Sequence, residues 1–280
     1  MNIIVAKGAG FCFGVNRAAN IVMDEAKKGT KVQTYGPLIH NPEYIQRLSE
    51  IGVTSANSPE EIESKTIVTR THGITRELEI ELAKKNLTVV DATCPFVKKV
   101  QKLAEDYTKR GYEVIILGEE NHPEIISVKS YAPLAHVVNS TDDVPPLDKN
   151  NNILFISQTT QSTDKYHKIG SFLLKTYPNV ETINTICGAT ENNQNEVSEM
   201  AKEVDLMIII GGKESSNTSR LREVAEKFVK THHILNAREL QKEWFANVGT
   251  VGIAAGASTP DFSIEEVKKY IEKFNDDDDK

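Results

Sequence analysis

Three cysteines punctuate this 280-residue chain: Cys12 in GFCFG, Cys94 in DATCP and Cys187 in TICGA. They recur at intervals of about 90 residues, each after a short strand-like run and before an amphipathic helical one. A thiolate at a helix N-terminus faces unpaired backbone N–H groups and the positive end of the helix dipole, which favour the charged form. Pro95, directly after Cys94, suits a first helical turn, where its missing N–H costs little. Three such thiolates brought together can ligate a metal centre. An iron–sulfur cubane held by three cysteines keeps one iron open to substrate, as a Lewis acid and an electron source. Two blander readings stand beside this one: three unrelated buried small hydrophobes, and a three-cysteine zinc site. The matched placement of all three favours the cluster over the first, and no further signal supports the second. No CxxC occurs, which excludes a zinc ribbon and a thioredoxin-type dithiol on spacing.

The other reactive side chains fall at comparable points. His40 (GPLIHNPE), His72 (RTHGITRE) and His122 (ENHPEI) each come after a strand-like run and within two residues of Gly or Pro. Imidazole donates hydrogen bonds to phosphate and exchanges protons near neutral pH. His136, His167, His232 and His233 do not share the placement and receive no role. Glu124 stands where a helix starts. It either offsets the helix dipole or, kept from bulk water beside a metal centre, donates a proton from a raised pKa. In SQTT (157–160), Thr159 or Thr160 can hydrogen-bond a substrate hydroxyl, or cap the next helix. The small-residue loops GGKESSNTSR (211–220) and AAGASTPD (254–261) enter helices and suit anion binding, with Ser258 a donor or a cap. The first lacks the Gly/Lys spacing of a Walker loop. Two such loops and three histidines describe an anionic pocket that a diphosphate would fill.

The elements that must position these residues are legible as alternating runs. Strands are expected at 2–6, 31–36, 66–70, 87–92, 113–118, 136–139, 153–158, 180–185, 206–212, 232–236 and 250–256. Helices are expected at 15–28, 42–49, 75–85, 95–110, 122–131, 162–176, 190–202, 217–230, 237–243 and 261–274. Several strand runs are apolar without alternation, as in a parallel sheet covered on both faces. The expected class is α/β: three similar units with mainly parallel sheets, in a pseudo-threefold arrangement around a central metal cluster. The expected units are 13–95, 96–187, and 1–12 together with 188–275, with 276–280 (DDDDK, tag-like) an acidic tail.

Apolar residues make up 39% of the chain and charged ones 26%, an ordinary globular balance. No apolar run approaches the roughly 20 residues that span a bilayer, and no signal or transit pattern opens the chain, so a cytoplasmic location and no membrane are expected. The net charge is −7, without basic runs interleaved with aromatics, so no nucleic-acid partner is expected.

Nine stretches, GFCFGVNRA, GPLIHN, THGI, DATCPFV, HPE, SQTT, ICGAT, KESSNT and AGASTP, run in that order from residue 10 to 260. In these the chain resembles the IspH/LytB family of 4-hydroxy-3-methylbut-2-enyl diphosphate reductases. The resemblance implies three α/β units around a 4Fe–4S cluster with one open iron, ligated by Cys12, Cys94 and Cys187. It implies that His40, His72 and His122, with Ser215, Ser216, Asn217 and Ser258, hold a substrate diphosphate. Glu124 matches the proton donor, Thr159 the threonine that contacts the substrate hydroxyl, and Thr190 another threonine near the substrate. His122 counts with Glu124 and Thr159 among the catalytic residues as well as in the anion set. The implied reaction removes an allylic hydroxyl with two electrons from ferredoxin or flavodoxin and two protons. It yields isopentenyl and dimethylallyl diphosphate. One departure is visible: Asn193 stands where the family pattern carries an arginine. Two other classes fit parts of the pattern. A quinolinate synthase-like lyase would not need the anion set Ser215, Asn217 and Ser258, and a cluster-based redox sensor or carrier would not need Glu124.

Overall fold

The computed structural model describes residues 1–278, with side chains through residue 274. It opens with β1 (Asn2–Val5) and α1 (Phe13–Lys27). Next come β2 (Val32–Tyr35), α2 (Pro42–Glu50), β3 (Val53–Ala56), β4 (Thr66–Thr69), α3 (Arg76–Lys84), β5 (Thr88–Val90) and α4 (Pro95–Lys109). A second series runs β6 (Glu113–Leu117), α5 (Pro123–Tyr131), β7 (His136–Val138), β8 (Ile153–Ser157), α6 (Thr163–Thr176), β9 (Val180–Thr182) and α7 (Gly188–Met200). The third is β10 (Leu206–Ile210), α8 (Ser216–Ala225), β11 (Thr231–Ile234), β12 (Thr250–Ala255) and α9 (Asp261–Asp278). The expected acidic tail at 276–280 thus begins inside α9, and residues 279–280 lie outside the described residues.

Every described strand pair is parallel. The strands form three four-stranded sheets in the orders β3-β2-β4-β5, β7-β6-β8-β9 and β11-β10-β12-β1. Each sheet repeats one plan: the first strand lies second from one edge, the second strand beyond it, and the third and fourth follow on the other side. In the last sheet the fourth strand is β1, so the N-terminus completes a unit that the C-terminal third begins. The chain is therefore α/β, with three like parallel sheets.

Packing divides the chain into two compact units. The first comprises Met1–Val15, Ile39–Gln46 and the residues from Gly188 onward, and carries the β11-β10-β12-β1 sheet. The second comprises Asn16–Leu38 and Arg47–Cys187, and carries the other two sheets. Their central strands explain why the sequence folds this way. All five residues of β8 and all five of β10 are buried, as their unbroken apolar runs require. Each fully buried Ile, Leu or Phe there contributes about 1.5–3 kcal/mol relative to exposure. Phe155 of β8 stacks on Tyr166 of α6 with ring centroids 5.0 Å apart.

Three local expectations need correction. Val53–Ala56 is a strand that the pattern VTSA hid, because it is a sheet edge with Thr54 and Ser55 exposed. The helix expected at 237–243 is instead two 3-10 turns, Ala237–Glu239 and Lys242–Phe245, separated where Leu240 and Gln241 take extended backbone. The helix expected to reach residue 230 ends at Ala225. Among the described residues no helix is long and apolar enough to cross a membrane.

Candidate active site

The three cysteines occupy equivalent points. Each follows the fourth strand of its sheet and immediately precedes a helix: Cys12 before α1, Cys94 before α4, Cys187 before α7. Each backbone N–H donates to a carbonyl in the loop after the third strand. Cys12 bonds Ala257 O at 3.1 Å, Cys94 bonds Thr71 O at 2.9 Å and Cys187 bonds Thr159 O at 2.9 Å. These bonds tie every cysteine to a loop that carries a predicted polar residue: Ser258, His72 and Thr159 respectively. The thiols are half-buried. As a donor set, three thiolates suit an iron–sulfur cluster better than an oxygen-seeking cation.

In the second unit, His122 caps α5 with Pro123 at the first helical position. Its Nδ1 accepts the Glu124 N–H at 3.2 Å, which leaves Nε2 as the protonated nitrogen of the neutral ring. The cap sets Glu124 in the first turn, where its side chain is 1% exposed. Both carboxyl oxygens meet Thr159: the Thr159 N–H donates to Oε1 at 2.6 Å and the Thr159 hydroxyl to Oε2 at 2.7 Å. Burial pushes the Glu124 pKa up from the ordinary carboxyl range to about 7, against the opposing effect of the two Thr159 hydrogen bonds. Of the two threonines open at the sequence level, Thr159 is the one joined to Glu124, while Thr160 accepts from Gln158 Nε2 at 2.9 Å. The His72 ring meets the His122 ring edge to face, 5.4 Å between centroids. His72 is held there by a turn at Gly73, φ 77°, where a Cβ would lie 2.6 Å from Gln101 Nε2 and 2.8 Å from Ser127 Oγ. Ser127 in turn donates to Ile74 O at 2.9 Å.

In the first unit, the loop after β10 leads into α8. Ser215 caps that helix by accepting the Thr218 N–H at 3.4 Å. Ser216 and Asn217 follow in its first turn, and all three are buried. The loop after β12 packs beside it: Gly256 N–H and Thr259 Oγ1 both donate to Ile210 O, at 2.8 and 2.9 Å. A Cβ on Gly212 would lie 2.4 Å from the His40 carbonyl oxygen, which puts the His40 backbone against the same loop. Asn217 is 4% and Ser258 9% exposed, yet Asn217 Oδ1 and Nδ2 and Ser258 Oγ have no hydrogen-bond partner among the described residues. Buried polar atoms are normally satisfied, so these mark a place for a polar ligand beside a helix N-terminus. Ser258 is thus not a helix cap. Thr190 is buried in the first turn of α7.

Two supporting residues were not singled out from sequence. Gln158, fully buried, accepts the Glu119 N–H through Oε1 at 3.2 Å and so braces the loop that leads to His122. Arg17 of α1 donates to Thr93 O and Asp91 O, each at 3.2 Å, and so braces the segment ahead of Cys94. Both sit next to or inside recognisable motifs, but their partners are distant backbone carbonyls and amides that no spacing announces.

The family model described as LytB protein matches residues 3–272. The reductase named 4-hydroxy-3-methylbut-2-enyl diphosphate reductase from Geotalea uraniireducens is 44% identical over 280 residues, covering 99% of both chains. Its namesake from Aquifex aeolicus is 43% identical over 280 residues, covering 98% of this chain and 97% of its own. A solved structure of (E)-4-hydroxy-3-methyl-but-2-enyl diphosphate reductase, described as the terminal enzyme of the non-mevalonate pathway, superposes with a TM-score of 0.73 at 43% identity, covering 98% of this chain and 100% of its own. The Plasmodium falciparum reductase superposes with a TM-score of 0.92 at 27% identity, covering 97% and 87%. With the match running nearly end to end in sequence and in fold, the chain belongs to the LytB family.

Proposed function

We propose that this protein reductively removes the allylic hydroxyl of 4-hydroxy-3-methylbut-2-enyl diphosphate, giving isopentenyl and dimethylallyl diphosphate. Glu124 carries this reading: a buried carboxyl with a pKa of about 7, bound through both oxygens to Thr159, in a chain related end to end to reductases of that name. Cys12, Cys94 and Cys187 would hold a 4Fe–4S cluster with one open iron. When bound, the cluster supplies the electrons and a Lewis-acidic iron.

The chain's own residues bind, orient and protonate. Replacing C–OH by C–H consumes two electrons and two protons and releases water. Glu124, at a pKa near ambient pH, exchanges a proton readily; when Oε2 carries it the bond to Thr159 reverses, Oε2–H donating to Oγ1 and freeing the Thr159 hydroxyl hydrogen for the departing oxygen. Thr159 is fixed by two bonds to Glu124 and by its own carbonyl on the Cys187 N–H, so its hydroxyl is aimed rather than mobile. Protonating the departing oxygen turns hydroxide, a poor leaving group, into water. Proton delivery at either end of the allyl unit accounts for two products. His40, His72, His122, Ser215, Ser216, Asn217 and Ser258 would anchor the diphosphate, with Thr190 beside the substrate. The unsatisfied Asn217 and Ser258 atoms and the α8 N-terminus support that assignment. Anchoring places the reacting carbon, which is worth several orders of magnitude in rate when geometry is held.

The electrons would come from ferredoxin or flavodoxin, in the cytoplasm. The repeating units would be 13–95, 96–187, and 1–12 with 188–275, each completed by a cysteine after a fourth strand. The test is anaerobic assay of the cluster-loaded protein with the allylic diphosphate alcohol and a strong one-electron donor. Formation of both five-carbon diphosphates supports the reading. A loaded protein that leaves the alcohol unchanged refutes it.

A further inference from the structure

We propose that Asn193 and Glu196 are positioning residues that hold the segment delivering Cys12. The inference rests on the cluster reading above. Residues 7 and 8 lie four to five positions ahead of Cys12. Glu196 accepts both of their amides, Lys7 N–H at 2.6 Å and Gly8 N–H at 2.9 Å, while Asn193 Nδ2 donates to the Gly8 carbonyl at 3.1 Å. Asn193 and Glu196 sit on one face of α7, the helix that starts directly after Cys187. The approach is close: a Cβ on Gly8 would lie 1.9 Å from Asn193 Oδ1 and 3.2 Å from Glu196 Oε2. Ala6, Ala9, Ala254 and Ala255 line the same spot, small side chains that let the two segments approach closely. Beyond the clamp, the Cys12 N–H is bonded to Ala257 O. The short segment between these two attachments therefore fixes where the Cys12 thiol stands.

The same device occurs elsewhere in the chain. Arg17, on the helix after Cys12, holds the segment ahead of Cys94 through two carbonyls. Tyr107, on the helix after Cys94, bonds Glu181 in β9, the strand that leads to Cys187. Each helix that follows one cysteine thus grips the approach to another. A lone Asn can take one carbonyl, and the carboxylate at 196 takes the two amides, so Glu196 belongs with Asn193 as a matched pair.

The experiment uses the full chain with Glu196→Ala, Glu196→Gln, Asn193→Ala and, as a control on the same helix, Glu199→Ala, whose partner is the exposed Lys202. Two readouts are taken: hydrogen exchange at the Lys7 and Gly8 amides without the cluster, and the rate at which a chelator strips iron from the anaerobically loaded protein. Glu196→Ala is expected to speed both by about tenfold, since two amides lose their acceptors. Glu196→Gln keeps one oxygen and should fall between, Asn193→Ala should resemble it, and Glu199→Ala should match the unsubstituted protein. Faster exchange with unchanged iron loss would reduce the pair to local packing and overturn the proposal, as would unchanged exchange. If Glu196→Ala does not fold, the Gln and Asn193 variants decide by the same two rates. An unsubstituted protein that takes up no iron–sulfur cluster would instead refute the functional reading, and this proposal with it.

Discussion

Two buried polar clusters, one in each unit, are built in opposite ways. In the second, Glu124, Thr159 and His122 are bonded to one another: both carboxyl oxygens, the Thr159 amide and hydroxyl, and His122 Nδ1 are all engaged. In the first, Asn217 and Ser258 are also buried, yet their side-chain polar atoms have no hydrogen-bond partner among the described residues. A closed network holds one geometry and one shifted pKa before any ligand arrives, which suits proton transfer. An open one costs stability until a ligand supplies partners, which suits anchoring. By this contrast Glu124 and Thr159 suit chemistry, and Asn217 and Ser258 suit binding.

The largest break of this contrast is Glu124→Gln. It keeps the shape and loses the exchangeable proton, so turnover should fall about 100-fold or more while the cluster spectrum stays unchanged. Normal turnover in that variant would remove Glu124 as the proton donor. Stability against pH sharpens the same point. Below the ordinary carboxyl range Glu124 is neutral both folded and unfolded. Between there and pH 7 the unfolded chain ionises while the folded one keeps its proton, so stability falls as pH rises and levels off above the folded pKa of about 7. Denaturant titrations at pH 4.5 and 7.5 should therefore shift in favour of Glu124→Gln by about 3 kcal/mol, from roughly 1.4 kcal/mol per pKa unit. An equal pH dependence in both proteins would mean an ordinary carboxyl. In the first unit, Asn217→Ala should raise the substrate concentration for half-rate about tenfold. His122→Ala should raise it too, and an unchanged value would remove His122 from the anion set. The smallest effect is the most specific. Without ligand, Asn217→Ala should not lower stability and should raise it by about 1 kcal/mol, because a buried amide without a partner is removed. A large loss in the ligand-free protein would mean that Asn217 is structural.

The sequence displays what depends on residue type and misses what depends on distant backbone. The buried strands β8 and β10 are readable because a parallel sheet covered on both faces needs continuous apolar runs. The cysteine positions are readable because one strand–loop–helix plan repeats three times, each cysteine following the fourth strand of a sheet. The edge strand Val53–Ala56 is not, since only Val53 and Ala56 are buried there. The clamp on Cys12 is not either, because Glu196 meets backbone amides 188 and 189 positions away, and amides carry no residue signature. The closure of one network and the openness of the other are properties of packing alone. A Glu–Thr pair and a Ser–Asn–Ser set look equally polar as letters.

Single-turnover assay under strict anaerobiosis reaches the central claim most directly. Protein loaded with a reduced cluster is mixed with 4-hydroxy-3-methylbut-2-enyl diphosphate, and the products are separated. Isopentenyl and dimethylallyl diphosphate should appear together as the cluster is oxidised. Oxidation with the alcohol recovered intact, or product formed equally well after Cys94→Ser has removed the iron, would contradict it.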